Sequence, residues 1–227
     1  MKVTALLPMK GHSERVPNKN MRLFAGKPLY HCIAKILQDS ELLDAIVINT
    51  DSERIAQDAT AHFSKALIHP RPAEIQGDMV PMNDIIAHDL SLLDGEHFLQ
   101  THSTNPLLTK ETLERAIREY FDSLETHDSL FSATRLQTRL YWESGDPVNH
   151  NPRELLRTQD LPPLFEENSN IYLFSKASFA AAENRRIGLK PKMFSMEQME
   201  AADIDEEIDF KIAEYLYGSE KWEVRSL

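Results

Sequence analysis

Residues 3–20 read VTALLPMKGHSERVPNKN and are the most informative stretch of the chain. Its apolar start is typical of a buried β-strand, which stops at Pro8 and continues into a basic loop. Gly11 lets main-chain N–H groups approach an anion, and Ser13 adds a hydroxyl. The cations of the loop are Lys10, Arg15 and Lys19. We interpret the stretch as a strand that opens into a phosphate-binding loop, with a merely solvated basic loop as the alternative.

The loop does not carry either of the two common glycine-rich phosphate patterns. Neither G-x-G-x-x-G nor G-x-x-x-x-G-K-S/T follows the strand, because Gly11 is the only glycine in the stretch. The cradle that those patterns form around a dinucleotide or a nucleoside triphosphate therefore cannot be built here. This disfavours a hydride-transfer enzyme and an ordinary NTPase.

Along the rest of the chain, short apolar runs alternate with segments of helical period, as in a parallel sheet with crossover helices. The predicted strands are Val3–Leu7, Ala45–Asn49, Ala66–Ile68, His97–Gln100, Ser129–Ala133 and Ile171–Phe174. The predicted core faces of three helices are Met82, Ile85, Ile86, Leu90 and Leu93, then Leu113, Ile117, Tyr120 and Phe121, then Ile208, Ile212 and Leu216. We predict an α/β fold with a Rossmann-like, mostly parallel sheet and flanking helices, whose ligands bind beyond the carboxyl ends of the strands.

The composition indicates a single domain over residues 1–227. With 227 residues and 41% hydrophobic side chains, the chain can bury one good core. Its net charge of −11 disfavours nucleic acid and anionic membranes as partners, and we expect neither a membrane span nor a signal peptide. Cys32 is the single cysteine and is expected to be a small core residue of a helix in a reducing compartment, which indicates the cytoplasm.

Residues 135–163 do not fit the alternation of strands and helices. The residues that break it are Trp142, Gly145, Pro147, Pro152, Pro162 and Pro163. The segment is too irregular for a strand-helix unit and too aromatic for a disordered linker. Because its apolar side chains need a partner surface, we predict an inserted dimerisation arm, with residues 142–163 in the interface of a homodimer. A long surface loop is the alternative.

Two carboxylates near the end of the chain, Asp203 and Asp205, flank an apolar residue. In extended backbone, residues two apart point to the same side, so both carboxylates can face one ion while Ile204 anchors in the core. Two hard oxygen ligands suit Mg²⁺, with Mn²⁺ as a substitute. Alternatively, Asp205 caps a helix that begins at Glu206.

In the order in which they occur, these motifs resemble those of the cytidylyltransferases that activate sialic acids and related nonulosonic acids. The basic loop is similar to the family pattern A-R-x-x-S-K-x-x-P-x-K-N. The matching positions are Lys10, Ser13, Pro17, Lys19 and Asn20. Glu14 stands where the family commonly has lysine, and Arg15 is expected to supply that charge.

Four further segments continue the resemblance. Residues 71–75 resemble R-P-x-E-L. Residues 101–108 resemble L-Q-P-T-S-P-L-R, with His102 at the family's glutamine and Leu108 at its arginine. Residues 157–160 and 167–172 resemble R-x-Q-D and E-N-G-S-x-Y, with Ser169 where glycine is usual. Residues 203–210 are close to D-I-D-x-x-x-D-L.

The resemblance implies a fold of the nucleotide-diphospho-sugar transferase type and a reaction of CTP with a sugar acid to give CMP-sugar and pyrophosphate. It also implies that the arm of residues 135–163 crosses to a second subunit and acts as a lid that helps close the sugar site. The implied nucleotide-binding residues are Met9, Lys10, Gly11, Ser13, Arg15, Lys19, Asn20 and Arg71. The implied sugar-binding residues are His102, Ser103, Thr104, Asn105, Arg139, Arg157, Gln159 and Asn168. The residues expected to act in catalysis are Lys10, Lys19, Asp203 and Asp205, the last two also as metal ligands.

The sequence is compatible with several alternative residue roles and substrates. Arg71, whose donors suit the acceptors of cytosine, is by itself more typical of a surface ion pair, and Arg157 can instead pair with Asp160 within the arm. Arg135 and Arg139 compete with Arg157 for the sugar carboxylate. The acceptor of the hydroxyl proton is His102, Asp205 or a metal-bound hydroxide. The substrate can also be 3-deoxy-manno-octulosonic, pseudaminic or legionaminic acid, and a non-catalytic nucleotide-binding module is the more distant reading.

Overall fold

A computed structural model describes residues 2–219 and contains a seven-stranded sheet and a separate two-stranded hairpin. The strands are β1 (Val3–Leu6), β2 (Leu23–Phe24), β3 (Lys27–Pro28), β4 (Leu43–Thr50), β5 (Ala66–Pro70), β6 (His97–Gln100), β7 (Ser129–Leu136), β8 (Leu164–Ser175) and β9 (Pro191–Met196). The α-helices are α1 (His31–Asp39), α2 (Glu53–His62), α3 (Met82–Ser91), α4 (Lys110–Asp122), α5 (Lys176–Ala181) and α6 (Glu207–Tyr217). Three 3₁₀ turns lie at Lys19–Met21, Ala73–Ile75 and Thr158–Asp160.

The strand order in the large sheet is β5-β4-β1-β6-β8-β7-β9, and only β8 runs antiparallel to its neighbours. The predicted mostly parallel α/β sheet is therefore confirmed, and each of the six predicted strands is present. The sequence did not predict β9, the β2–β3 hairpin or the long polar first half of β8. In β9 only Phe194 and Met196 are buried, so the edge strand lacks a strong apolar signal.

Helices cover both faces of the sheet, because alternate residues of each central strand point to opposite sides. Ala5 and Leu7 contact the core beneath α1, α2 and α4, whereas Leu6 packs with α3 and α5 on the other face. The predicted core faces of α3 and α4 are confirmed, and Cys32 is buried in α1 as expected. No helix among residues 2–219 is both long and apolar enough to cross a membrane.

The predicted core face of the last helix is wrong. Ile208 and Ile212 are 60% and 52% exposed, whereas Phe210 and Ala213 are buried. The reason is tertiary: the β2–β3 hairpin packs on α6, and the rings of Phe24 and Phe210 meet edge to face with centroids 5.5 Å apart. The hydrophobic periodicity of α6 does not predict its contact with the hairpin, because the hairpin lies almost 190 residues earlier in the chain.

The predicted arm connects β7 to β8, although its first two residues still belong to β7. Within the arm, Tyr141 and Pro147 form an isolated antiparallel bridge closed by a turn in which Gly145 has φ +86°. Asn149 holds the base of the arm by donating to the carbonyls of Thr138 (2.8 Å) and Pro162 (3.1 Å). The arm thus has its own local hydrogen bonds.

Candidate active site

A cavity of about 390 Å³ opens beyond the carboxyl ends of β1 and β6. The predicted residues that line it are Met9, Lys10, Ser13, Lys19, Asn20, Arg71, His102, Ser103, Thr104, Asp203 and Asp205. They come from four separate segments of the chain, which the parallel strands bring to one edge of the sheet. The predicted location of the site is consistent with this arrangement.

Asn20 joins the basic loop to the segment that follows β6. Its side-chain N–H donates to the carbonyl of Lys10 (2.9 Å), and its side-chain oxygen accepts from the hydroxyl of Ser103 (2.6 Å). Asn20 is only 9% exposed, so these bonds fix the loop rather than face solvent. The residue therefore positions the site.

Gly11 is required for a reason other than the one predicted. Its N–H donates to the Asp51 carboxylate (2.6 Å) instead of facing the cavity. A Cβ on Gly11 would lie 2.9 Å from the Cβ of Ser52, so only glycine allows the loop to approach the segment after β4 this closely.

The three cations of the loop all contact carboxylates. Lys19 donates to the carbonyl of Ile204 and lies 3.7 Å from Asp205, and the Arg15 guanidinium donates to Asp205 at 2.7 Å. Lys10 pairs with Asp78 and thereby holds the pKa of that carboxyl below its usual range. Burial lowers the pKa of Lys19, although Asp203 and Asp205 favour its charged form. Lys19 and Arg15 thus place positive charge beside Asp205, whereas Lys10 is paired with Asp78.

The Asp203–Asp205 segment adopts the predicted arrangement. Ile204 is fully buried and its N–H donates to the carbonyl of Thr104 (2.9 Å), while both aspartates line the cavity. Burial raises the pKa of the Asp203 carboxyl, and a hydrogen bond from Thr104 opposes this shift. The pair can therefore present hard oxygen ligands to one point, as a divalent cation requires.

The alternative role of Asp205 as a helix cap is wrong. Helix α6 begins at Glu207, Glu206 is the N-cap residue, and Asp209 completes a capping box by accepting from the Glu206 N–H at 2.7 Å. The Asp205 carboxylate is therefore not used by the helix terminus.

Arg71 is buried, with only 7% of the residue exposed, so the alternative of a surface ion pair is also wrong. Its Nε donates to the side-chain oxygen of Asn49 (2.7 Å), and its Nη2 donates to the Asn49 carbonyl (3.0 Å) and more weakly to that of Met9 (3.4 Å). Burial lowers the pKa of Arg71. The guanidinium braces the ends of β1 and β4 at the wall of the cavity.

His102 and Asn105 differ in what they contribute. Burial, with the charges of Arg186 and Lys19, lowers the pKa of His102 to about 3, so its ring is neutral and a weak base at ordinary pH. Asn105 is buried and its amide lies 3.4 Å from the carbonyl of Ala202. Unlike Ser103 and Thr104, Asn105 supports the aspartate segment from behind and does not line the cavity.

A second cavity of about 410 Å³ adjoins the first and shares Ser169, Asp203 and Asp205 with it. Asn168 lines this second cavity, and its amide is held between the hydroxyls of Ser132 (2.5 Å) and Thr134 (2.9 Å). Ser169 has φ 57°, in the left-handed region that favours glycine, which explains the glycine of the family pattern.

The structure does not bring the predicted arm residues to either cavity. Arg157 donates two hydrogen bonds to the Asp160 carboxylate, at 2.7 and 3.0 Å. This ion pair within the arm is the alternative that the sequence also allowed for Arg157. Arg139 donates to the carbonyl of Leu156, and Gln159 is exposed. Within one chain, these three side chains stay on the arm.

Sequence reasoning missed Arg186, which lines the first cavity. Its guanidinium lies 3.7 Å above the Tyr172 ring and donates to the side-chain oxygen of Gln100 at 2.5 Å. Leu108, at the family's arginine position, is buried in the core. No short pattern around residue 186 signals a ligand, so only its proximity to Gln100 reveals this cation.

A polar cavity at strand ends, with two carboxylates among several cations, defines a nucleotide-binding α/β protein equipped for phosphate chemistry. The sequence model of the family described as Cytidylyltransferase matches residues 4–221, and the chain belongs to this family. This match confirms the predicted resemblance to the cytidylyltransferases, the family whose reaction is transfer of a cytidylyl group.

Three relatives with named sugar substrates are 25–28% identical to the chain. The chain is 27% identical to N-acylneuraminate cytidylyltransferase A of Danio rerio over 98% of its length but only 54% of the relative's. It is 28% identical to the CMP-N,N'-diacetyllegionaminic acid synthase of Legionella pneumophila, covering 95% of the chain and 96% of that relative. It is 25% identical to the pseudaminic acid cytidylyltransferase of Campylobacter jejuni, covering 96% of the chain and 97% of that relative. The chain thus spans about half of the first protein and nearly all of the other two.

Solved structures support the same fold. A CMP:2-keto-3-deoxy-manno-octonic acid synthetase complexed with CTP superposes with a TM-score of 0.71 and 13% identity, covering 95% of this chain and 98% of that one. A 4-diphosphocytidyl-2C-methyl-D-erythritol synthase superposes with a TM-score of 0.68 and 16% identity, covering 95% and 98% of the two chains. The predicted nucleotide-diphospho-sugar transferase type of fold is confirmed.

Proposed function

We propose that the protein transfers the cytidylyl group of CTP to a nonulosonic acid, giving CMP-sugar and pyrophosphate. The observation that carries this proposal is the meeting of Asp203, Asp205 and Lys19 in one cavity at the carboxyl ends of the strands. Phosphoryl transfer needs little covalent help from a protein, but it does need charge placed around the phosphates. The family and the names of its nearly full-length relatives support CTP and a sugar acid as the substrates.

Different residues of the cavity are assigned to the triphosphate, the cytosine and the hydroxyl proton. Lys10, Lys19 and Arg15 meet the triphosphate, and Arg71 with the neighbouring main chain faces the cytosine. The anomeric hydroxyl attacks the α-phosphate in line, a new P–O bond forms, and the bond to pyrophosphate breaks. The low pKa of His102 makes its ring a weak base and so disfavours it as the acceptor of the hydroxyl proton, and we assign that proton to Asp205, which lines the same cavity.

The aspartate pair fits a hard divalent cation, because it offers carboxylate oxygens beside a phosphate site and Asp205 has no capping role. Asp203 and Asp205 would hold Mg²⁺, or Mn²⁺ in its place. When bound, the ion neutralises charge on the phosphates.

Arg186 is our proposed partner for the carboxylate of the sugar acid. It is a half-buried guanidinium that donates to the Gln100 oxygen and lies over the Tyr172 ring, and the Glu167 carboxylate acts on its charge without a described ion pair between them. A half-buried cation beside an open cavity attracts an anionic ligand, and a guanidinium can bind a carboxylate through two hydrogen bonds. This position compensates for Leu108, which lies in the core.

The arm completes the site as part of a cytoplasmic homodimer. Support comes from its exposed apolar side chains, since Trp142 is 65% and Leu155 97% exposed, a combination that a partner surface would cover. Residues 142–163 form the interface, and Arg139, Arg157, Gln159 and Asn168 serve the sugar side. Light scattering at micromolar concentration should give the mass of a dimer, and a monomer would contradict this part.

Pyrophosphate release from CTP across a panel of sugar acids tests the function. The panel comprises N-acetylneuraminic, legionaminic, pseudaminic and 3-deoxy-manno-octulosonic acids, with UTP and sugar-free reactions as controls. We expect release that requires CTP and one of the nine-carbon acids. Preference for the octulosonic acid would reassign the substrate, whereas CTP binding without release from any acid would leave a non-catalytic nucleotide-binding module.

A further inference from the structure

A second cluster of titratable side chains lies outside both cavities. His31 is the first residue of α1, while Asp58 and His62 lie one turn apart on α2 and therefore share a helix face. One ligand atom from each of the three lies within 4.8 Å of the other two. Two imidazoles and a carboxylate thus converge between two helices.

Individual contacts support this convergence. The His31 Nε2 lies 2.6 Å from Asp58 Oδ2, and the His62 Nδ1 lies 3.5 Å from Asp58 Oδ1 and 2.8 Å from the Asp58 carbonyl. The two imidazole rings lie 5.0 Å apart between centroids. The side chains of His31 and Asp58 are only 12% and 20% exposed, against 55% for His62. The cluster is therefore mostly buried at His31 and Asp58 and exposed to solvent at His62.

The carboxylate of the cluster is oriented from behind. The Tyr30 hydroxyl donates to Asp58 Oδ2, the oxygen that also contacts His31. Although burial acts to raise the pKa of Asp58, the hydrogen bonds from Tyr30 and His31 lower it overall. An ionised carboxylate whose direction is fixed by an outer hydroxyl resembles a supported metal ligand.

We propose that His31, Asp58 and His62 bind one divalent cation of the Zn²⁺ class, which pins α1 to α2. Two imidazole nitrogens and one carboxylate oxygen form a donor set suited to Zn²⁺, with a remaining position for water. Binding requires neutral imidazoles and displaces the proton between His31 and Asp58. Ligation through His62 Nδ1 also displaces the proton by which that nitrogen bonds the Asp58 carbonyl. The Asp203–Asp205 pair supplies only oxygen and suits Mg²⁺, so the two sites differ in their preferred ion.

Titration with Zn²⁺ alone, in excess Mg²⁺ and without CTP or sugar, tests the proposal. Wild type should bind one equivalent, and His62→Gln should weaken that step by on the order of 10-fold or more. His88→Gln is the matched control, because His88 also occupies the last turn of a ten-residue helix, α3. It should bind Zn²⁺ like the wild type.

Thermal unfolding gives an independent readout. Saturating Zn²⁺ should raise the Tm of the wild type and of His88→Gln by roughly 5 °C, but not that of His62→Gln. Equal Tm values in EDTA would show that the variants fold alike, and His31→Gln provides a second variant at the buried end of the cluster. Zinc binding and a Tm shift that survive both His62→Gln and His31→Gln would overturn the site. Because no substrate is present, failure here is independent of the proposed function.

Discussion

The loops around Asp203 and the arm between β7 and β8 differ in how each is held in place. Around Asp203, buried side chains such as Asn20, Arg71 and Ile204 tie different segments together, so one chain fixes the geometry. Polar contacts in the arm are mostly local, as in the Arg157–Asp160 pair, and its apolar side chains Trp142 and Leu155 are exposed. The proposed nucleotide side of the site is thus preorganised within one chain, whereas the proposed dimer would give the arm a second surface.

The largest loss of activity is expected from the aspartate pair. Asp203→Asn and Asp205→Asn should each lower turnover by on the order of 100-fold or more, because an amide is a poorer ligand for a hard dication. Steady-state rates across a magnesium titration measure this effect. Asp94→Asn, at an exposed site, is the control, and near wild-type turnover by both site variants would move the metal site elsewhere.

Stability should respond differently from activity at Asp203. Burial raises the pKa of Asp203, so the folded state holds the proton more tightly than the unfolded state does. The stability contributed by this group is therefore lost as the pH rises from the pKa of the unfolded state through the higher pKa of the folded state. At neutral pH the ionised side chain is therefore a cost to folding. Asp203→Asn should keep or raise the Tm at pH 7, and a large drop would show that this carboxylate is structural.

The next largest loss of activity is expected from Lys19→Ala. Removal of this mostly buried cation from the proposed phosphate site should lower kcat/KM for CTP by on the order of 100-fold. Lys35→Ala is the control, because Lys35 forms an exposed i,i+4 pair with Asp39. Unchanged constants for CTP in the Lys19 variant would count against the phosphate role of the basic loop.

Arg186→Leu should separate the two substrates. We expect KM for the sugar acid to rise by roughly 10-fold to 100-fold, with KM for CTP changed only a few-fold, since a lost half-buried guanidinium removes a charged hydrogen-bond partner. The adjacent Arg185 is exposed, so Arg185→Leu is a matched control. A rise in KM for CTP alone would assign Arg186 to the nucleotide instead.

His102→Gln, which introduces the family's usual residue, should have the smallest effect. Because the pKa of His102 is about 3, the ring does not change charge from about pH 5 to about pH 8. The variant should keep the pH profile of the wild type and lose only a few-fold in rate. If the variant instead lost one of the pH-dependent changes in rate that the wild type shows, His102 would be the proton acceptor.

Local chemistry explains which features the sequence could predict. The burial of Ile204 between two aspartates and the first strand are signals within a few residues. Both are found, although the strand ends at Leu6, one residue earlier than predicted. The buried face of α6 and the position of Arg186 depend on partners far away in the chain, namely Phe24 and Gln100. Such partners leave no local pattern, which is why both were missed.

Mixed dimers test most directly whether the nucleotide loops and the arm act across two protomers. One chain carries Asp203→Asn with an intact arm, and the other carries Arg139→Ala with Arg157→Ala and intact loops. Each should be nearly inactive alone, and an equal mixture after subunit exchange should regain about a quarter of wild-type activity, because half of the dimers then contain one intact site. A mixture no more active than its parts, or an arm variant that is fully active alone, would contradict the division.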